Sequence, residues 1–184
     1  IIMHRKLATM QSKYDEIMAD GSAALHNNTY ALDPYLHITN SIPDRRRGLT
    51  LIARLHGDTK SNLVQFMCDF AEIDSNQYLH DPDSLHITIL SIISAREHYE
   101  LPNNTQSYIG IIADVLKDIP ALCIIFDGVT ASSGCILAQG FPQSDTDTII
   151  LEGVRTSLRR KFQLSNVEHN MDARYPASTA HCSI

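Results

Sequence analysis

The sequence predicts an α+β protein with mainly antiparallel sheets. Three observations carry that prediction. Helical and strand-like periodicities are mixed along the chain, without the regular strand–helix repeat of a parallel sheet. Two short apolar runs flank Asp127-Gly128 and Ser133-Gly134, a hairpin signal. Two further apolar strands, at Ser84–Ile93 and Ala180–Ile184, each follow a strand–helix unit, which hints at two related halves.

The chain has 184 residues, enough for one good-sized domain or two small lobes sharing a core. Its formal net charge of −6 argues against a broad footprint on duplex DNA. A small nucleotide or the end of one RNA strand needs only local positive charge and stays open. No apolar run approaches the ~20 residues of a membrane helix, and Ile1–Lys6 lacks the pattern of a secretory signal. The four cysteines form no C-x-x-C pair, so they read as free, buried thiols of a cytoplasmic protein. The chain opens on Ile1 rather than Met, and the expectation is that it begins inside a longer polypeptide.

Taken in order, residues 3–19 read as an amphipathic helix carrying Leu7, Met10, Tyr14, Ile17 and Met18, with Gly21 as its stop. Residues 26–47 read as a loop, marked by Asn27-Asn28, Asp33-Pro34 and Pro43-Asp44. Arg45-Arg46-Arg47 closes it, as a solvated turn or as a phosphate contact from the mouth of a strand. Gly48–Leu55 is a strand. Residues 59–73 are a helix with Leu63, Phe66, Met67 and Phe70 on one side and Asp58 or Thr59 as cap. After the strand at Ser84–Ile93, residues 105–117 suit a helix with Tyr108, Ile111, Ile112, Val115 and Leu116. Residues 122–126 and 135–138 are the hairpin strands. Residues 145–162 form a helix with Ile149, Ile150, Val154, Leu158 and Phe162 inward, and Arg155, Arg159, Arg160 and Lys161 on a solvated face. A polar loop, Ser165–Thr179, leads to the last strand.

Successive side chains of a strand point to opposite faces. His86 and Thr88 therefore share one face, and Leu85, Ile87 and Ile89 the other. His181 and Ser183 likewise share a face, with Cys182 turned away. Leu36-His37-Ile38-Thr39 has the same spacing, but Pro43 prevents it from continuing as a central strand, so His37 reads as a loop histidine.

Zinc sites need three or four ligands at recognisable spacing, and neither H-E-x-x-H nor a Cys pair is present. No G-x-S-x-G elbow prepares a serine nucleophile. Two histidines do suit acid–base catalysis, because one can be neutral and the other protonated near pH ~6.5. That arrangement fits in-line displacement at a phosphodiester. One ring takes a proton from the attacking oxygen and the other gives one to the leaving oxygen. The neighbouring hydroxyls donate to the non-bridging oxygens. No metal or cofactor is called for.

His86-Ile87-Thr88-Ile89 and His181-Cys182-Ser183-Ile184 resemble the paired His-x-Thr/Ser motifs of the 2H phosphoesterase superfamily, which includes LigT-like 2′-5′ RNA ligases and cyclic nucleotide phosphodiesterases. The resemblance covers residues 48–184 in element order, leaving 1–47 as an N-terminal helix and loop extension. It implies a LigT-like bilobal fold: two mainly antiparallel sheets related by a pseudo-twofold, helices outside, and a cleft between. It further implies that His86 and His181 are the acid–base pair, and that Thr88 and Ser183 hold the phosphate. Family members continue past the second motif, so the resemblance also implies truncation at the C-terminus.

The leading expectation is a metal-independent phosphoesterase acting on a cyclic phosphate or 2′-5′ linkage of a nucleotide or RNA end. Hydrolysis and ligation both stay open, as does oligomeric state. The alternatives are a non-catalytic nucleotide- or RNA-end-binding module with the same cleft, and an enzyme that moves protons on an unphosphorylated small molecule. Arg46, Arg47 and Tyr175 are candidate secondary contacts without an assigned role.

Overall fold

The computed structural model describes residues 2–36, 43–173 and 176–184, with side chains described from residue 9 onward. The order of elements is α1 (Ile2–His26), β1 (Arg47–Arg54), α2 (Gly57–Ile73), β2 (His86–Arg96), α3 (Thr105–Leu116), β3 (Ile124–Ala131), β4 (Ile136–Pro142), α4 (Asp145–Gln163) and β5 (Cys182–Ser183). The class is α+β with two antiparallel sheets: β1 pairs with β2, and β3, β4 and β5 lie side by side in that order.

The core is organised around β2. Leu90, Ile92 and Ile93 pack with Tyr108 of α3 and with Val154, Leu158 and Phe162 of α4. Each aliphatic side chain buried there contributes roughly 1.5–3 kcal/mol. Leu85 joins Met67 of α2, Ala138 of β4, Cys182 and Ile184. Ile87 joins Leu151 of α4 and Ala180. The residues beside both histidine motifs are thus built into the same interior.

Strict alternation fails in β2. Leu51 pairs with Leu90 but Ile52 pairs with Thr88, so Ile89 is an inserted residue; Ile92 is inserted in the same way between Ile93 and Ser91. Each bulge shifts the facing by one residue. Ile87, Leu90 and Ile93 therefore face inward together, and Ile89 does not simply continue the face of Leu85 and Ile87.

Helix α1 runs past Gly21, which does not stop it. A Cβ at Gly21 would lie 2.2 Å from the Ala131 carbonyl oxygen, so the missing side chain lets the helix lie against β3. The turn comes later, at Asn28, whose φ of 56° is the left-handed conformation that asparagine tolerates. Tyr14, fully buried, donates to Gly140 O at 3.0 Å and accepts from Gly140 N at 3.1 Å, joining α1 to β4.

Other expectations need correction. The N-cap of α2 is His56, with no side-chain cap bond, in place of Asp58 or Thr59. Strand β3 continues through Asp127-Gly128, where Gly128 at φ 79° accompanies a register shift, and the turn falls at Ser132–Cys135. Ile149 is exposed. Arg155 is completely buried, and Arg159 is paired with Asp172 at 2.7 Å; only Arg160 and Lys161 are exposed as expected. All four cysteines are free, but Cys68, Cys123 and Cys135 are exposed and only Cys182 is buried.

Gly140 is the tightest glycine. A Cβ there would meet Ala180 O at 2.0 Å, one residue before His181. Gly140→Ala is expected to lower stability by about 1–3 kcal/mol, as overpacking does, and urea unfolding measures it.

Candidate functional site

The first histidine is launched by a short turn. Pro82–Ser84 forms one turn of 3₁₀ helix, in which the Asp81 carboxylate accepts from Asp83 N at 2.7 Å. Strand β2 starts two residues later. His86 Nδ1 lies 2.6 Å from Ser84 O. A carbonyl only accepts, so Nδ1 carries the proton and Nε2 is the nitrogen left for chemistry. Thr88 follows on the same side, half-buried.

The second histidine lies in the segment Thr179–Ile184, where Ala180 and Cys182 are fully buried and His181 and Ser183 are half-buried. β5 keeps only two ladder positions, Leu137↔Ser183 and Ala138↔Cys182. Cys182 packs against Leu85, the residue before His86, and β5 lies against β2, which brings the two motifs side by side with the Cys182 thiol between them. Burial pushes the Cys182 thiol up to about 11, so it is an inert core thiol rather than a nucleophile.

Arg155 ties these strands together from below. Its guanidinium donates to Ile89 O at 3.0 Å and Thr88 O at 3.2 Å, at the β2 bulge, and to Thr179 O at 2.7 Å. It also pairs with Glu152 at 2.9 Å. An inserted residue in a strand leaves carbonyls off the ladder, and the guanidinium fork supplies donors for them. Arg159 adds a second hold on the approach to β5, through Asp172 and, at 3.4 Å, Ala177 O.

Burial and nearby positive charge act on two of the rings, His181 and His80. Burial, then the positive charge of Arg155, then His86, hold His181 below the ordinary imidazole range. Burial and His86 do the same to His80, a third histidine beside the motif, which stands edge-on to Tyr78 with centroids 5.3 Å apart. Both rings resist protonation in the fold, while their unfolded counterparts titrate near ~6.5. The unfolded chain thus binds more protons below that value, and stability falls as pH falls. The urea midpoint is expected to be lower at pH 5.5 than at pH 7.5, with the loss beginning below about 6.5.

The two hydroxyls are open. Thr88 and Ser183 are half-buried, and neither side chain has a hydrogen-bond partner among the described residues. Arg54 is the direct cross-strand partner of His86 and so shares its face; its guanidinium donates to Asp83 O at 2.5 Å.

The structure brings together His86, Thr88, His181 and Ser183. It separates Arg46 and Arg47 from them. Arg47 pairs with Arg96 at the far end of the β1–β2 ladder from His86, and Arg46 is locked to Asp44 and Asp33 at 2.7 and 2.8 Å. His37 and Tyr175 lie outside the described residues. Among the described residues, no group of three His, Cys, Asp or Glu side chains could hold a metal ion, and no helix is long and apolar enough to cross a membrane.

Sequence reasoning missed Arg155, His80 and Thr179. Thr179 was within its reach, because the alternation that pairs His181 with Ser183 pairs it equally with the residue two before. A cavity of about 570 Å³ lies elsewhere. It lies between α1, α2 and the β3–β4 turn, walled by Phe66, Phe70 and Tyr78, and touches the histidine site only at its edge, through His80 and Ile184. No family model, no curated protein and no solved structure matches the chain.

Proposed function

We propose that the chain is a two-histidine phosphoesterase of the 2H type, with the LigT-like bilobal arrangement. Its substrate is a cyclic phosphate or 2′-5′ phosphodiester of a nucleotide or RNA end. One observation carries the reading: two separate His-x-Thr/Ser pairs, one on β2 and one running into β5, lie side by side with both hydroxyls unengaged among the described residues.

In this mechanism His181 is the base. Burial and Arg155 keep its ring neutral near neutral pH, so it can take the proton of the attacking water. His86, held through Nδ1 on Ser84 O, gives the proton on Nε2 to the departing ribose oxygen. One P–O bond forms as the other breaks, and the two protons move in opposite directions across the phosphate. Thr88 and Ser183 donate to the non-bridging oxygens, where negative charge builds. Two imidazoles supply both proton transfers, so the step needs no metal.

The test is hydrolysis of nucleoside 2′,3′-cyclic phosphates and 2′-5′-linked dinucleotides in excess chelator. Chelator-resistant turnover, with one phosphomonoester or one cleaved dinucleotide formed per event, is expected. Binding of these nucleotides without turnover would establish a binding module instead. Turnover only of unphosphorylated substrates would overturn both.

A further inference from the structure

Two residues before His181, the Thr179 hydroxyl lies 2.7 Å from the His181 Nδ1. Either group could donate, so the neighbours decide. The Thr179 hydroxyl also neighbours the Tyr14 phenol, whose own proton is given to Gly140 O, so toward that oxygen Thr179 can only donate. With its proton turned toward Tyr14, its lone pairs are left to accept from His181. Thr179 itself cannot drift. It is 6% exposed, and its carbonyl is held by Arg155 at 2.7 Å. The same guanidinium holds Thr88 O and Ile89 O, so the acceptor for one histidine is anchored to the strand bearing the other.

We propose that Thr179 is a positioning residue: anchored by Arg155, it accepts the Nδ1–H of His181, fixing the ring's tautomer and rotation so that Nε2 is the atom presented to the phosphate. The arrangement mirrors the one at His86, where Ser84 O accepts from Nδ1. Both rings then offer Nε2, one bare and one protonated, as a two-proton relay requires. A base whose proton sat on Nε2 would be unable to accept one there. This role rests on the phosphoesterase reading for its effect on rate, but the tautomer itself does not depend on that reading.

The test uses Thr179→Val, which keeps the shape and the anchored carbonyl and removes the hydroxyl, with Thr179→Ser as rescue. Imidazole ¹⁵N–¹H correlation spectra of the full chain, above the His181 titration, report the tautomer directly. The wild type and Thr179→Ser are expected to show the Nδ1–H form, and Thr179→Val a mixture with Nε2–H. With cyclic phosphate as substrate, kcat is expected to fall about 10- to 100-fold in Thr179→Val, in the range of a lost proton-transfer contribution. KM should be little changed, and Thr179→Ser should recover most of the rate. An Nε2–H wild type, or a Thr179→Val spectrum identical to wild type, overturns the proposal. Absence of any turnover would sink the phosphoesterase reading while the spectra still decide the tautomer. Urea midpoints of all three proteins separate positioning from loss of fold.

Discussion

Arg155→Met is expected to destabilise the protein by about 3–5 kcal/mol, the cost of breaking a buried charged network by removing one partner. The reason lies in what the guanidinium satisfies. Three backbone carbonyls, Thr88 O, Ile89 O and Thr179 O, take its hydrogen bonds, and the side chain is fully buried. Methionine fills the space but donates nothing, and each buried acceptor left without a donor costs ~1–3 kcal/mol. Glu152, half exposed, recovers water and adds little. Burial works against the charged guanidinium, yet arginine stays protonated in proteins, so its donors must find acceptors inside. Against a total stability of about 5–15 kcal/mol, the loss is large. Urea unfolding of Arg155→Met measures it. A change below about 1 kcal/mol would mean that the carbonyls find other donors. Arg155→Lys is expected to fall between, because one ammonium cannot reach three carbonyls in a fork.

The second large effect is on rate. His86→Ala and His181→Ala are each expected to reduce kcat on the cyclic phosphate by about 10²–10⁴-fold, the usual contribution of a positioned acid or base. The double variant should lose little more than the worse single one, because the two rings act in one step. His37→Ala is expected to keep wild-type turnover. His181→Ala also removes a half-buried ring that accepts no charge readily, so its stability should hold or rise slightly at pH 5.5 relative to wild type. Full activity in either single variant would remove that histidine from the chemistry.

Much of this arrangement was legible in the sequence. Alternation placed His86 with Thr88 and His181 with Ser183, and helical periodicity located all four helices to within a few residues, apart from the far end of α1. What could not be read has a common physical origin. Arg155 sits in a basic run that looks solvated, because its partners are main-chain carbonyls from segments 67 and 24 residues away. Carbonyls carry no residue identity, so no sequence pattern marks them. The β2 bulges were hidden for a related reason: Ile87, Ile89, Leu90, Ile92 and Ile93 are all apolar, with only Thr88 and Ser91 among them, so more than one register buries an apolar face. Gly21 misled because helix stops and close helix–sheet approaches both select glycine. The second motif reads as a strand, and β5 is one of only two residues.

That brevity governs the order of assembly. Two ladder positions cannot nucleate β5, and part of what surrounds it comes from the far end of the chain: Lys13 reaches Ser178 across 165 residues, and Tyr14 reaches Gly140, the β4 residue against Ala180, across 126. Closing loops of that length precedes any gain from the contacts they allow, so such pairings form late. The β1–β2 ladder, with α2 between its strands, spans a far shorter loop and can form first. The protein therefore carries its own checkpoint. A chain that has folded its β1–β2 half holds one histidine and no partner for it, and the second arrives only when the first helix and the last strand have both docked.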